Sequence, residues 1–355
     1  MIVLHAKNVH CALPVALHKL RTQGIPRESR NGLVRQMPEP VATVYANPCE
    51  RVIFHPWRDA NPFFHFYEAL WMLAGRNDIA PLVRFSKQIG EYTDDGETMN
   101  AAYGSRWRCM PKGFNGTEDR FTGPYTVDQL PIICNALRAN KDDRQQVLQI
   151  WDHNRDLGTK TKDHACNLTV TFQVDPGGRL NMVVFCRSND AVWGCYGANA
   201  VHFSFLLEYV AARAGYPCGI YTQVSVNLHA YDATAAKLYE FGAELESDAY
   251  DPYGGAIYPY PIGNSQTDWY EWDGDCQGFI TMTGHASTCS FKNAFFNDVA
   301  WPIVKAHDAY KDGDPRTKFS KAKQELNRCQ ASDWKKACQE WLDRRQLKLE
   351  MKNAT

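Results

Sequence analysis

Residues 186–203, CRSNDAVWGCYGANAVHF, gather polar side chains with the chemistry to bind an anion and a heterocyclic base. Arg187 and Ser188 end a strand-like run, and an arginine fork beside a neutral hydroxyl is a natural pair of phosphate ligands. Asn199 opens an apolar helix, and its amide can donate to and accept from a uracil edge, although helix capping explains it equally well. Because Ser, Asn and Asp are also common in plain turns, a nucleotide pocket and a surface turn both remain open.

Two further side chains have the chemistry for proton transfer or nucleophilic attack. Glu68 lies within FFHFYEALWML, with apolar residues on every helical face. Burial disfavours its ionised form, which suits a general acid or base; the alternative is a carboxylate that faces outward. Cys166 begins a strand after the polar loop GTKTKDHA, where nearby cations would lower the pKa of its thiol and make it a nucleophile. The alternative is a packing residue, as most of the twelve cysteines are expected to be.

Helices and strands in mixed order must position these residues. A helix is predicted from Asn61, its N-cap, to Gly75, its stop. Two β-rich runs around the turn DPGG predict a hairpin that ends at Arg-Ser. Residues 47–56 predict a strand, and residues 199–215 predict a helix with Asn199 as its N-cap.

The run IYTQVSVNLHAY, residues 220–231, alternates polar and apolar side chains and predicts one strand with a polar face. His229 and Tyr231 lie on that face. Either side chain could hydrogen-bond a sugar hydroxyl, or a neighbouring residue could satisfy it. A polar face in an otherwise apolar neighbourhood indicates a strand that lines a cavity.

The composition excludes several classes of protein. A net charge of −1 over 355 residues leaves no basic excess for duplex DNA or an anionic membrane surface. The cysteines form no C-x-x-C pair and no zinc spacing, which indicates a reduced, cytoplasmic protein without a metal site. We expect a single α+β domain over residues 1–355, with a core over about 1–245 and a divergent C-terminal insertion and helical tail over about 246–355.

Taken in order, six segments resemble the thymidylate synthase family, which includes the pyrimidine-nucleotide hydroxymethylases. EALWMLAGRND resembles the family's Glu-x-x-Trp-x-x-x-Gly helix, and AAYGSRWR resembles its Tyr-Gly-x-x-Trp-Arg segment. ACNLTVTFQV resembles the Pro-Cys-His nucleophile strand, and CRSND resembles the Gln-Arg-Ser-x-Asp box. NAVHFSFL resembles the helix opened by a base-reading Asn, and NLHAY resembles the His-x-Tyr motif. The resemblance implies a thymidylate synthase-like fold whose large mixed sheet forms a homodimer interface, with flanking helices.

The resemblance also implies catalytic roles. Cys166 would attack C6 of a pyrimidine deoxynucleoside monophosphate, which makes C5 a carbon nucleophile for the one-carbon unit of 5,10-methylenetetrahydrofolate. Glu68 and Tyr103 would handle proton transfer. Asn199 would read the base, and Asp190 would face the folate pterin.

Binding roles follow from the same resemblance. Arg187, Ser188 and Arg30 would bind the 5′-phosphate, and His229 with Tyr231 would bind the deoxyribose hydroxyl. Arg144 matches an arginine that the family donates across the dimer interface, and Gln145 replaces the second such arginine. Ile89 and Tyr92 stand where the family has two tryptophans near the folate.

Departures from the family pattern bear on the last step. The loss of the indole at residue 89, and an ending EMKNAT that lacks the family's apolar C-terminus, indicate a site open to water. Water addition to the exocyclic methylene predicts 5-hydroxymethylation of dUMP, where hydride transfer would give dTMP. RSND followed by Trp-Gly also resembles the phage-type hydroxymethylases, which would make the host's cytoplasm the location.

Three alternatives stay open: a thymidylate synthase, a dCMP or CMP hydroxymethylase, and a non-catalytic nucleotide-binding protein of the same fold. Asn199 favours uracil, because a carboxylate at that position would instead suit the amino group of cytosine. One residue is inserted between Gly194 and Asn199 relative to the family. Ala198 is therefore the alternative occupant of the base-reading position.

Overall fold

A six-stranded mixed sheet forms the centre of the computed structural model, which describes residues 1–111, 126–244, 251–255 and 257–354. The strands are β1 (Ile2–Ala6), β2 (Ile25–Ser29), β3 (Gly32–Gln36), β4 (Val41–Tyr45), β5 (Met110–Pro111), β6 (Thr126–Val127), β7 (Val147–Gln149), β8 (Asn167–Val174), β9 (Leu180–Cys186), β10 (Asn189–Asp190), β11 (Cys218–Ser225) and β12 (Leu228–Tyr231). The α-helices are α1 (Val9–Gln23), α2 (Pro62–Leu73), α3 (Ala80–Val83), α4 (Tyr103–Arg108), α5 (Gln129–Ala139), α6 (His153–Asp156), α7 (Asn199–Ala214), α8 (Asp232–Glu244), α9 (Trp269–Met282), α10 (Trp301–Asp312), α11 (Lys318–Leu326) and α12 (Ser332–Ala354).

The large sheet has the strand order β1–β4–β11–β9–β8–β7 and contains both parallel and antiparallel pairs. A smaller sheet, in the order β10–β12–β3–β2, lies where β9 and β11 end. Helix α7 contacts β9 and β11, and α1 contacts β1. The predicted α+β class, with a large mixed sheet and flanking helices, is confirmed.

Local sequence signals account for the elements that carry the site. Asn61 caps α2 by accepting a hydrogen bond from Phe64 N, and Gly75 adopts a φ of 72° just after the helix. Strands β8 and β9 form the predicted hairpin, with Gly178 at a φ of 79° in the turn. Both signals are local, because an N-cap residue bonds within the first turn of its helix and glycine tolerates a positive φ at its own position. This explains why these predictions are confirmed.

Two strand predictions are wrong. Residues 51–55 form no strand; the strand lies earlier, at β4, which pairs in parallel with β1. Residues 220–231 do not form one strand, because the chain leaves the large sheet after Ser225 and enters the small sheet at Leu228. Hydrogen bonds from Val226 N to Cys186 O and from Asn189 N to Asn227 O join the two chain segments at this crossing.

The predicted N-cap role of Asn199 is also wrong. An irregular helical turn, Ala191–Ala198, runs directly into α7, so Asn199 already has helical dihedral angles of −62° and −41°. Asp190 caps the turn instead, by accepting hydrogen bonds from Val192 N and Trp193 N. The amide of Asn199 is therefore free of the capping role that competed with a base-reading role. The predicted stop at Gly215, with a φ of 90°, is confirmed.

The C-terminal helices pack on α2. Phe66 contacts Trp334 edge to face, and Phe63 contacts Trp341 in the same way. The expected boundary between core and C-terminal region, at about residue 245, lies outside the described residues, and the single-domain organisation stays a prediction. In the part of the chain that the structure describes, no helix is both long and apolar enough to span a membrane.

One face of the large sheet is only partly covered. Val3 is 47% exposed and Phe185 is 38% exposed, although both are apolar strand residues. The register of β1, β4, β11 and β9 aligns these two residues across the sheet with Ala42 and Val224. The opposite face is buried beneath α7 and its neighbours, as the fully buried Gln223 and Val184 indicate.

Candidate active site

Cys166 lies at the start of β8, beside the guanidinium of Arg187. Arg187 N donates to Cys166 O at 2.9 Å, and Arg187 Nη2 lies 3.8 Å from Cys166 Sγ. The same guanidinium donates from Nε to Ala165 O at 2.9 Å. The β8–β9 hairpin therefore brings the predicted nucleophile and the predicted phosphate ligand together.

The expected lowering of the Cys166 pKa is wrong for the protein alone. Burial raises the pKa of the Cys166 thiol, and Asp163 acts in the same direction. The positive charges of Arg187 and Arg30 oppose this increase without reversing it. Arg30, which lies in the β2–β3 turn, is thus within electrostatic reach of the thiol, as its predicted role requires.

Tyr103 approaches the nucleophile because Asp163 ties two segments together. Ala101 N donates to Asp163 Oδ2 at 2.8 Å, and Asn100 Nδ2 donates to Asp163 O at 3.0 Å. Burial raises the pKa of the Tyr103 phenol well above its ordinary value, and the nearby Cys166 adds to this increase. Tyr103 is therefore a neutral phenol in the neighbourhood of the thiol.

Glycine is required where the Tyr103 helix crosses α2. A Cβ atom at Gly104 would overlap the carbonyl oxygen and Cα of Met72. Helix α4 can therefore approach α2 closely, which packs the segment that carries Tyr103 against the helix that carries Glu68. This close contact explains why the Tyr-Gly-x-x-Trp-Arg segment has a glycine directly after Tyr103.

Glu68 is buried, with 7% of its surface exposed, on the side of α2 that contacts α7. Its Oε2 lies 2.9 Å from Nε2 of His202, although the angles at this contact are not those of a hydrogen bond. The predicted burial of Glu68 is confirmed. The contact with His202 was missed, because nothing in the spacing of α7 distinguishes this histidine from a core residue.

Asn199 is held in place by a chain of side chains. Its Nδ2 donates to Asn189 Oδ1 at 3.1 Å, and Asn189 Nδ2 donates to Ser225 Oγ at 3.0 Å. A Cβ atom at Gly194 would lie 2.9 Å from Asn189 Oδ1 and 3.2 Å from Asn199 Nδ2, so glycine leaves room for this chain. The amide orientation is thus determined by a strand and a turn outside α7.

Asp190 is half-buried, and desolvation of its carboxyl raises the pKa of this group, while His229 and Arg58 oppose the increase. Its Oδ1 accepts the two capping hydrogen bonds, but Oδ2 has no hydrogen-bond partner among the described residues. Beside it, Trp193 is 55% exposed and its ring lies over the guanidinium of Arg58, 4.6 Å from the ring centroid. The sequence assigned no role to this indole, although an exposed Trp near a candidate ligand site is a usable signal.

The sugar-binding candidates lie on β12, next to Asp190. Asp190 pairs with His229 in the parallel β10–β12 register. The ring of His229 contacts that of Tyr231 edge to face at 5.5 Å, and its Nδ1 lies 3.1 Å from Asn227 Oδ1. The small sheet therefore gathers both residues on the Asp190 side of the site.

The remaining candidates lie on a loop and a short turn of other segments. Arg144 lies in the loop between α5 and β7, at the rim of a surface cavity with Asp142, Asp143 and Gln145. Ile89 is buried within a short 3-10 turn, whereas Tyr92 at the end of that turn is exposed. Within the described ranges, no cluster of three or more His, Cys, Asp or Glu side chains has the arrangement of a metal site.

A family model described as thymidylate synthase matches residues 59–246. The chain is 45% identical to a deoxyuridylate hydroxymethyltransferase of Pseudomonas phage M6, over 100% of this chain and 97% of that protein. It is 37% identical to a deoxyuridylate hydroxymethyltransferase of Bacillus phage SP01, over 61% of this chain and 54% of that protein. A thymidylate synthase of Haloferax volcanii is 26% identical over 51% of this chain and 54% of its own length.

The fold and these similarities define a one-carbon transferase, and the chain belongs to the thymidylate synthase family. The family expected from the six sequence segments is confirmed. The similarity to the Pseudomonas phage M6 protein also covers the C-terminal region, which extends beyond the part matched by the family model.

Proposed function

We propose that this protein transfers a one-carbon unit to C5 of dUMP and releases 5-hydroxymethyl-dUMP. The observation that carries the proposal is the arrangement of Arg187 beside the Cys166 thiol, with Tyr103 near the same sulfur. The full-length similarity to a phage deoxyuridylate hydroxymethyltransferase supports water addition, and not reduction, as the last step.

Nucleophilic attack begins with Cys166. Because burial raises the pKa of the thiol, its proton must leave as the nucleotide binds, and Arg187 and Arg30 stabilise the resulting thiolate. Addition of the thiolate to C6 makes C5 a nucleophile. Tyr103 and Glu68 serve the proton transfers that follow, and the high pKa of the Tyr103 phenol suits a hydrogen-bond donor.

Nucleotide binding uses the residues around the crossing between the two sheets. Arg187, Ser188 and Arg30 bind the phosphate, with Arg144 contributed by a partner subunit. His229 and Tyr231 bind the deoxyribose hydroxyl. Asn199 reads uracil, since its amide supplies both a donor and an acceptor and is held by Asn189.

The co-substrate is 5,10-methylenetetrahydrofolate, which supplies the one-carbon unit. The site fits a folate, because Asp190 Oδ2 is a buried acceptor without a hydrogen-bond partner among the described residues, and a pterin offers N–H donors. Trp193 and Tyr92 offer exposed rings for stacking, and Ile89 is a buried apolar residue in the same turn as Tyr92. Tyr92 and Ile89 thus serve where the family has its two tryptophans.

We also propose a homodimer that buries the partly covered face of the large sheet. Val3 and Phe185 lie on this face, and exposed apolar strand residues in register across several strands indicate an interface. The phage relatives favour action in the cytoplasm of an infected bacterial cell.

Mass spectrometry of the product tests the function. The protein is incubated with dUMP and methylenetetrahydrofolate, and then with dCMP or CMP in place of dUMP. We expect 5-hydroxymethyl-dUMP with tetrahydrofolate. Formation of dTMP, accompanied by an absorbance increase from dihydrofolate, would identify a thymidylate synthase; turnover of dCMP or CMP alone would identify a cytidylate enzyme.

Release of tritium from [5-³H]dUMP without folate tests the covalent step separately. The wild-type protein should release tritium, whereas Cys166→Ala should not. Cys109→Ala is the matched control, since Cys109 is an exposed cysteine at the end of α4, and should behave as wild type. Turnover by Cys166→Ala at the wild-type rate would refute the mechanism.

A further inference from the structure

A buried histidine beside Glu68 has no role in the function proposed above. His202 is 2% exposed, and in the part of the chain that the structure describes neither of its ring nitrogens has a hydrogen-bond partner. Oε2 of Glu68 is likewise buried without a partner, although it lies 2.9 Å from His202 Nε2. Buried polar atoms normally have hydrogen-bond partners, because a buried donor or acceptor that has lost its water and gained no partner is unfavourable.

Helical spacing places these groups between the base reader and the acid. Asn199 and His202 are three residues apart and share one face of α7, and His65 and Glu68 share one face of α2 in the same way. Helices α2 and α7 contact each other. His202 therefore lies on the same helix face as the predicted uracil ligand and touches the predicted proton-transfer carboxylate.

The other charged groups nearby cannot take over this contact. Burial lowers the pKa of His65 to about 3, and the positive charge of Arg58 acts in the same direction, so His65 is neutral. Arg58 directs Nε and Nη2 to the carbonyl oxygen of Val192, at 3.1 and 2.9 Å. Among the described residues, His202 thus lies against Glu68 Oε2, and both of its ring nitrogens lack a hydrogen-bond partner.

We propose that His202 is a positioning residue for the water-addition step, a proposal that rests on the function proposed above. It orients the Glu68 carboxylate and the water molecule that Glu68 activates toward the exocyclic methylene on C5. In this step a C–O bond forms between water and the methylene carbon, and the water's proton passes to Glu68. The π electrons move onto the C4 oxygen and then return to form the C5–C6 double bond, which expels the Cys166 thiolate from C6.

The variant His202→Gln tests the proposal, because glutamine keeps a polar group of similar reach without the imidazole. We expect tritium release from [5-³H]dUMP within about threefold of wild type, since removal of the C5 proton precedes formation of the methylene and does not require Glu68 to hold a water molecule against it. Formation of 5-hydroxymethyl-dUMP should fall about 10–100-fold in kcat, with the KM for dUMP changed less than about threefold, as for a misplaced reacting group. An added thiol, a stronger nucleophile than water, should capture the methylene and yield a 5-thiomethyl product.

His307→Gln is the matched control, since His307 is a buried histidine on α10 whose ring stacks on Phe85. It should leave the ratio of tritium release to hydroxymethylation unchanged. A His202→Gln protein whose tritium release and hydroxymethylation fall together, or both stay unchanged, overturns the proposal. His202→Asn is the second variant, and failure of both variants to fold would make His202 a structural residue and overturn the proposal as well.

The proposed function fails in a different way. If the wild-type protein forms no 5-hydroxymethyl-dUMP, the function itself is wrong. If the wild type forms it and His202→Gln forms it at the same rate, only the role of His202 is wrong.

Discussion

Replacing Asp333 by asparagine should stabilise the protein at alkaline pH. Asp333 lies at the start of α12, fully buried; its Oδ1 accepts a hydrogen bond from Trp334 N at 2.7 Å, and its Oδ2 accepts one from the Tyr253 hydroxyl at 3.2 Å. Burial raises the pKa of this carboxyl from 3.8 to about 7. An asparagine keeps the acceptor for Trp334 N and carries no charge at any pH.

The sign follows from proton binding. Between pH 3.8 and about 7 the folded state holds a proton on Asp333 that the unfolded state has lost. The contribution to stability is therefore fully present below pH 3.8 and is lost as pH rises through about 7. At about 1.4 kcal/mol for each pH unit, the upper bound of the loss is roughly 4 kcal/mol. Relaxation around a buried charge reduces the expected gain of Asp333→Asn at pH 8 to about 1–3 kcal/mol.

Denaturant unfolding followed by circular dichroism, at fixed protein concentration and at several pH values from 5 to 8.5, measures this gain. The advantage of Asp333→Asn over wild type should grow from pH 5 to about pH 7 and then level off. Asp343→Asn, on a solvent-exposed part of the same helix, controls for the loss of a carboxyl and should show no such growth. A constant difference across the pH range, or a variant less stable than wild type at pH 8, would refute the assignment of a buried, proton-binding carboxyl.

Three further substitutions test the site and its supports. Gly104→Ala should lower the free energy of unfolding by about 3 kcal/mol or prevent folding, because the added methyl overlaps the Met72 backbone. Thermal unfolding measures this loss, and a variant as stable as wild type would contradict the close approach of α4 and α2. Arg187→Lys should lower kcat/KM for dUMP about 10–100-fold, since one ammonium cannot reach Ala165 O and Cys166 Sγ while binding a phosphate. Unchanged steady-state kinetics would exclude Arg187 as the phosphate ligand beside the thiol. Asn199→Asp should lower kcat/KM for dUMP and raise it for dCMP, because a carboxylate only accepts hydrogen bonds; an unaltered preference would favour Ala198 at the base-reading position.

Much of the site could be predicted from the sequence, because the sequence signals for its elements are local. The cap and stop of α2, the turn between β8 and β9, and the order of the six family-like segments each depend on a few neighbouring residues. Burial of Glu68 follows from the apolar residues around it in the helix. These features need no knowledge of what lies across the fold.

Tertiary structure decided the rest, because the deciding partners are distant in sequence. Residues 220–231 read as one strand, yet the pairing of β12 with β10 and β3 moves its second half into another sheet. Asn199 reads as an N-cap, yet the preceding turn continues the helix and leaves the amide to Asn189.

The electrostatics of the site were likewise set by the fold. A thiol near cations suggests a lowered pKa, but burial of Cys166 outweighs Arg187 and Arg30, since desolvation depends on everything packed around the sulfur. The sequence by itself determined which chemical groups the protein has and the local elements that carry them. Only the tertiary structure decided which of those groups touch and how far they are buried. Glu68 meets His202, for example, because α2 packs against α7.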